Sequence, residues 1–392
     1  MTSSGLVADV MRAVDDERAA MQDLLAALVS VPTENPPATG YQPCLTLLES
    51  TLDRLGLDHE RLDIASPSDA PRAAIRAWFG DPGPTLYFHG HYDVVPAMSR
   101  EQFTPRLDGD ALFGRGSSDM KSGLVAMLYA ARALKAAHVR LRGRISLLLV
   151  PDEETGGTYG TGALAARGDF GAHAIGMLLP EPTSGVVWHE SRGAITLEVT
   201  VNGRAAHVAL PHQGINAFER AMPLINRLFE LKGELESSRG SILLVGGRVE
   251  AGSNFNVAPA ECRFTIDRRT NPDEDFDVEK RRLFDELDRA REEGVDLDVR
   301  LIQEGRSAST STDVPLARAL ADVVAEVSGE PPAFETCPGL LETRFYAARG
   351  VPAFAYGPGI LAVSHGPQEF VRISRMVECA KIYALTAMRT LG

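Results

Sequence analysis

Cysteine, lysine and long apolar runs are scarce in this chain of 392 residues, and each scarcity excludes something. The four cysteines, Cys44, Cys262, Cys337 and Cys379, are far apart and form no Cys-x-x-Cys pair. That spacing excludes a disulfide framework and a structural zinc knuckle, and it fits a reducing compartment. Only 5 of the 40 basic residues are lysine, which reads first as genome composition and second as a hint of carboxylate binding by arginine. No apolar run approaches the ~18 residues of a membrane span. Residues 7–28 carry Asp9, Asp15, Asp16, Glu17 and Asp23 among apolar positions, so they read as one amphipathic helix and not as a secretion signal. Positive charge is in deficit: the formal net charge is −13, which argues against nucleic acid and anionic membrane as partners. A soluble, cytoplasmic protein is expected.

What is present is ordinary globular composition, 44% hydrophobic and 24% charged, at a length that implies two or three domains. Residues 41–55 pattern as a helix, 73–79 as a strand and 81–84 as a turn. Residues 85–91 and 144–150 are apolar strands with the helix 123–137 between them, and 175–179 repeats the pattern. Apolar strands of this kind lie inside a sheet covered on both faces, and their alternation with helices predicts an α/β domain with a mostly parallel sheet. Near residue 190 the pattern changes to alternation, with Ile195, Leu197, Val199 and Val201 against polar neighbours. Strand 194–201, helix 217–231, strands 241–250 and 260–268, helix 275–293 and strand 296–302 follow the order of a split ferredoxin-like α+β unit. The expected division is therefore a larger domain of residues 1–190 and 303–392, interrupted by a small domain of residues 191–302. After the insertion, 314–327 reads as helix, 353–356 as strand and 372–391 as a closing helix.

Acids and histidines gather where the apolar strands end. Strand 85–90 runs into His91-Tyr92-Asp93, strand 144–150 into Pro151-Asp152-Glu153-Glu154, and strand 175–179 into Pro180-Glu181-Pro182. Asp119 lies in the glycine-rich stretch 114–123 that opens a helix. Ligands of open α/β sheets bind beyond the carboxyl ends of the strands, so these clusters converge on one crevice. So many carboxylates would repel one another without a cation among them. Mixed histidine and carboxylate donors suit Zn²⁺, with Co²⁺ or Mn²⁺ as substitutes. His89 and His91 point to the same face of a strand, so the residues alone leave either as a ligand.

The segments His91-Tyr92-Asp93-Val94-Val95-Pro96, Gly114-Arg115-Gly116 through Gly123, Asp152-Glu153-Glu154-Thr155-Gly156-Gly157, Glu181-Pro182-Thr183 and Ser364-His365-Gly366 stand in a familiar order. In them the chain resembles the dinuclear zinc peptidases and deacylases that include acetylornithine deacetylase, succinyl-diaminopimelate desuccinylase, aminoacylase-1 and glutamate carboxypeptidase. The resemblance runs nearly end to end and implies a zinc-peptidase catalytic domain with an inserted lid and dimerisation domain. It implies two zinc ions bridged by Asp119, with His91 and Glu181 completing one ligand set and Glu154 and His365 the other. It makes Glu153 the general base toward a water shared by the metals, and Asp93 the carboxylate that orients His91. It selects His91 over His89, which is left to packing, and it leaves His189 and His212 structural. On the inserted domain it implies that His207 reaches the partner subunit's active site. Arg192, Asn256 and Arg269 would then contact the substrate carboxylate, with Arg268 or Arg269 the alternative left as surface charge.

The implied activity is removal of an N-acyl group, acetyl, succinyl or similar, from an amino acid or related small carboxylate by a homodimer. A dipeptidase or carboxypeptidase of the same family is the alternative, and a binding homologue without activity is a third reading. Where the desuccinylases carry Gly-Thr-Ser-Asp, this chain carries Gly339-Leu340-Leu341-Glu342.

Overall fold

The structure is a computed structural model that describes residues 3–66 and 71–392. The chain forms two compact units, one of residues 1–190, 309–336 and 342–392, the other of residues 191–308 and 337–341. Among the described residues, no helix is long and apolar enough to cross a membrane.

The first unit is an α/β layer built on a mixed sheet. Its middle is parallel: strands Arg144–Val150, Thr85–His91, Ala174–Leu179 and Ala353–Ala355 lie side by side in that order. Strands Arg72–Gly80 and Asp58–Ile64 extend one side antiparallel, and Val187–Ser191 joins the other side antiparallel. Every residue of Thr85–His91 is buried, as is nearly all of Arg144–Val150, because helices cover both faces. Helix Ser122–Ala136 is apolar around most of its circumference and is buried accordingly, packed beside the closing helix Ile373–Leu391.

Two elements of the first unit depart from the sequence reading. Residues 7–28 are not one helix but two, Ser3–Asp16 and Arg18–Val29, broken at Glu17. The run of polar and charged residues in Asp58–Ile64 hides a strand at the sheet edge, where charged side chains are tolerated and discourage further pairing. Lys121 lies just before helix Ser122–Ala136 and is fully buried. Its Nζ donates to the carbonyls of Leu28 and Val31, both at 2.9 Å, so it closes the end of helix Arg18–Val29.

The second unit has a four-stranded antiparallel sheet in the order Ile242–Ala251, Glu261–Thr270, Gly193–Asn202, Leu297–Gly305. With helices Ala217–Arg239 and Phe276–Glu292 it follows the ferredoxin-like strand order, and the last strand runs on to Gly305. Alternation along Glu261–Thr270 decides the fate of its two arginines. Arg268 shares the core face with Phe264 and Ile266 and is fully buried, whereas Asp267 and Arg269 share the other face. Arg268 is therefore not surface charge. It is paired with Glu274 at 2.6 Å and Glu279 at 2.7 Å, both buried. Removing one partner of a buried ion pair strands the others, so Arg268→Met should cost about 3–5 kcal/mol. Chemical denaturation should show that loss, and Arg300→Ala, at an exposed pair with Glu198, should show under about 1 kcal/mol.

Candidate metal centre

Register brings the site together. Across the parallel strands, His91 pairs with Val150, Phe88 with Leu178 and Ala355 with Leu179. The loops that leave those strands, 92–93, 151–154 and 180–181, therefore emerge side by side at the carboxyl edge of the sheet. Asp119 arrives from the irregular turn Ser117–Lys121, and His365 from the loop after Leu361–Val363. Asp152 and His365 hold positive φ of 75° and 64°. In non-glycine residues such backbone costs of order 1–3 kcal/mol and clusters where function demands it.

Two groups of potential ligands result, His91 with Asp119 and Glu181, and Asp119 with Glu154 and His365; within each, donor atoms lie within 4.8 Å of one another. Asp119 belongs to both. Its Oδ1 is 3.4 Å from His91 Nε2, and its Oδ2 is 3.3 Å from His365 Nε2. Glu181 Oε1 is 3.7 Å from His91 Nε2, and Glu154 Oε2 is 3.2 Å from His365 Nε2. Glu153 belongs to neither group, yet its Oε2 is 3.9 Å from His91 Nε2.

The electrostatics express the crowding. Burial pushes the carboxyls of Glu153 and Glu181 well above the usual range, and neighbouring carboxylates push further. Glu154 is raised by burial first, against its bond to His365. Burial would lift Asp119 too, but hydrogen bonds to His365 and His91 hold it well below the usual range. Burial alone would lower His91; its bonds to Asp119 and Asp93 and the charges of Glu153 and Glu181 raise it well above its ordinary value. His365 is pushed up to about 11 by its bonds to Asp119 and Glu154. The histidines thus carry the positive charge that the acids demand.

Around these groups lies a buried polar frame of which sequence reading reached only Asp93. Asp93 is its hub: its carboxylate accepts the backbone N–H groups of Glu153 and Glu154, both at 3.2 Å, and the Asn35 amide at 2.9 Å. The same Asn35 Nδ2 lies 3.0 Å from Thr155 Oγ1 and 3.3 Å from Asp152 Oδ1. His91 Nδ1 is 3.0 Å from the Asp93 main-chain carbonyl and 3.5 Å from its carboxylate, so the main chain is the nearer partner. His89 does more than pack. It is fully buried with Nε2 2.6 Å from Glu342 Oε2 and 3.1 Å from Thr161 Oγ1, and Nδ1 3.2 Å from the Tyr346 hydroxyl. Glu342 in turn backs the loop after Glu153: a Cβ on Gly157 would lie 2.7 Å from its Oε1. Arg344 Nη2 donates to the Gly156 carbonyl at 2.7 Å. No spacing rule links these partners, which come together only through the fold.

The remaining candidates lie on the second unit, two at each end of its sheet. Arg192 and Arg269 stand where Gly193 pairs with Thr270, and Arg269 is held by Asp267 through Nε at 2.8 Å and Nη2 at 2.9 Å. His207 and Asn256 lie beyond the other end, where Asn202 pairs with Glu261, and both line a cavity of about 730 Å³. His207 is exposed, as is His212, whereas His189 Nδ1 is 3.0 Å from the Thr310 carbonyl.

The donors fit a pair of divalent cations. His91 Nε2 and Glu181 Oε1 are buried without a well-aligned hydrogen bond, His91 Nε2 standing 3.4 Å from Asp119 and 3.7 Å from Glu181 Oε1, and both belong to the first three-ligand group. Buried imidazole and carboxylate groups so poorly satisfied by one another, around a shared carboxylate, are the set that a hard or borderline divalent ion satisfies.

Residues 87–389 match the family described as peptidase family M20/M25/M40. The chain is 30% identical over 385 residues to the succinyl-diaminopimelate desuccinylase of Alkalilimnicola ehrlichii, covering 94% of this chain and 99% of that protein. Among solved structures it is similar to the dipeptidase Dug1p of Saccharomyces cerevisiae, with a TM-score of 0.82 at 17% identity and 98% of each chain covered. It is also similar to the M20 metallo-carboxypeptidase Sso-CP2 of Sulfolobus solfataricus, with a TM-score of 0.79 at 17% identity, covering 95% of this chain and 99% of that one. The chain belongs to peptidase family M20/M25/M40 and is a metal-dependent hydrolase.

Metal must displace the protons that the raised ligand groups of His91, His365, Glu154 and Glu181 hold. Uptake should therefore release protons, and affinity should climb with pH between about 5 and 9. Calorimetry in buffers of different ionisation enthalpy reads both effects; affinity flat across that span would contradict the charge balance described.

Proposed function

We propose that the enzyme removes an N-acyl group from an amino acid or a related small carboxylate, with two Zn²⁺ ions held by the groups that share Asp119. Co²⁺ or Mn²⁺ could replace zinc in the same donor set. When bound, the ions polarise the amide carbonyl and make water a nucleophile near neutral pH. Glu153 is the general base: it takes the water's proton on a carboxylate oxygen and delivers it to the departing amine. Asp93 fixes the main chain of Glu153 and Glu154 and, with its own carbonyl, the ring of His91. The observation that carries this reading is that Glu153 stands beside His91 while lying outside both three-ligand groups.

Residues 191–308 act in this reading as a lid and dimerisation domain. Arg269, oriented by Asp267, and Arg192 bind the substrate carboxylate, to which the planar guanidinium is matched. Asn256 completes that contact, and His207 stabilises the developing oxyanion. The ten-residue strand Gly193–Asn202 separates the two pairs by roughly 30 Å, so one small substrate cannot meet both pairs of one chain. A homodimer meets the requirement, with Arg192 and Arg269 acting in their own chain and His207 and Asn256 in the partner. Phe255, 97% exposed beside Asn256, supports a covered surface there. Leu340 and Leu341 stand in place of two hydroxyl groups, which favours a short or apolar acyl group over succinyl. A cytoplasmic location fits the four dispersed cysteines.

A dipeptidase or carboxypeptidase would use the same centre on an amide beside a carboxylate, and the likeness to Dug1p keeps that reading in view. A binding homologue would have no reason to keep five ligand positions and Glu153 intact. N-acetyl, N-succinyl and N-carbamoyl amino acids assayed beside dipeptides should give the highest kcat/KM for an acyl amino acid; preference for dipeptides would favour the second reading.

Glu153→Gln should retain two ions by elemental analysis and lose on the order of a hundredfold or more in kcat. Full occupancy with normal turnover would remove Glu153 from the role.

Mixing inactive His207→Ala with inactive Glu153→Gln under subunit exchange should restore activity, because one site of the mixed dimer combines both intact residues. No recovery with exchange confirmed, or a monomer by sedimentation, would contradict action in trans.

A further inference from the structure

The two ligand groups are anchored differently. His91 ends a buried strand, and Glu181 follows the end of another. His365 grows from a loop, its side chain 52% exposed and its backbone in the left-handed region. Gln102 Nε2 holds the next residue by its carbonyl at 3.0 Å, and His365 itself is held by Arg115, which is 250 residues away in sequence, fully buried, and donates from Nη2 to the His365 carbonyl at 3.0 Å. The other branch of its guanidinium pairs with buried Glu369. Glu369 Oε1 accepts the backbone N–H groups of Gly116 and Ser118 at 3.0 Å and of Asp119 at 3.1 Å. One ion pair thus joins the turn that carries Asp119 to the loop that carries His365.

We propose that Arg115 and Glu369 are positioning residues for the Asp119–Glu154–His365 group, so that the ion held there, which needs the His365 loop as well as Asp119, depends on them more than the ion at His91 and Glu181, which they reach only through Asp119. The proposal rests on the ligand reading given above. A buried ion pair is a poor source of net stability, because desolvation offsets its Coulombic gain. Its geometry is another matter. A planar fork can hold a carboxylate with one branch and a carbonyl with the other, and an ammonium cannot hold both in fixed directions. Removing one outer partner of a metal ligand typically weakens metal binding by about 10–100-fold.

Arg115→Lys keeps the charge beside Glu369 and gives up the fork. Glu369→Gln keeps an oxygen for the three N–H groups and gives up the charge that holds Arg115. Each variant, checked for folding by circular dichroism and loaded with Zn²⁺, would be titrated with a chelator while bound zinc is counted. One ion per chain should leave at a chelator concentration at least about tenfold below that needed for wild type, and the other should be weakened clearly less, because it shares only Asp119 with the disturbed group. His365→Ala is the control for the ligand reading: if it still holds two ions tightly, that reading fails whatever Arg115 does. If His365→Ala loses one ion, two outcomes in whichever variant folds would overturn the proposal: wild-type retention of both ions, or equal weakening of both.

Discussion

Four carboxyl groups, those of Asp119, Glu153, Glu154 and Glu181, share one largely buried site with two imidazoles, and their mutual repulsion is the constraint to which the rest of the first unit answers. Such a cluster tolerates only two conditions, protons on its members or cations between them. The sheet supplies rigidity against that repulsion. Three strand ends fix His91, Glu181 and the 151–154 loop, and a buried polar frame fixes the main chain around them. Asp93 donates nothing and accepts three N–H groups, so it adds negative charge to a region already rich in it. Those three donors are what make its charge tolerable.

Sequence reached the site where chemistry follows directly on secondary structure. His91, Asp93, Glu153, Glu154 and Glu181 each lie within a few residues of an apolar strand's end, and such strands are legible from composition alone. Asp119 was legible as the acid of a glycine-rich stretch that opens a helix, whereas His365, which belongs to no periodic element, was legible only through the motif resemblance. Arg115, Glu369, Asn35 and Glu342 were not legible, because each is defined by a partner distant in the chain. His89 shows the limit of periodicity. Two-residue spacing put it on the same face as His91, but only the arrival of Glu342, 253 positions on, tells that this imidazole is held in a hydrogen-bonded pair. The two arginines show what alternation carries by itself: shared parity with Phe264 and Ile266 turns Arg268 inward and leaves Arg269 on the other face.

The second unit has a different economy. Its sheet covers one face with helices and leaves the other to Asp267, Arg269 and their neighbours, as half-buried antiparallel sheets do. Strand length there is a ruler. Ten residues set the distance between the arginines at one end and His207 with Asn256 at the other, and no side-chain rearrangement shortens it.

Asn35 has a vulnerability that its neighbour removes. Its single amide group lies within reach of Asp93, Asp152 and Thr155, so its two hydrogens are shared among three acceptors. Slow chemical ageing converts many asparagines to aspartate, by attack of the next residue's backbone nitrogen on the side-chain carbonyl to close a succinimide ring. Here that would replace a donor by one more acid in the pocket least able to accept it. The next residue is Pro36, whose nitrogen carries no hydrogen and cannot close the ring. The proline therefore protects the amide covalently, and with it the charge balance of the whole centre over the lifetime of the molecule.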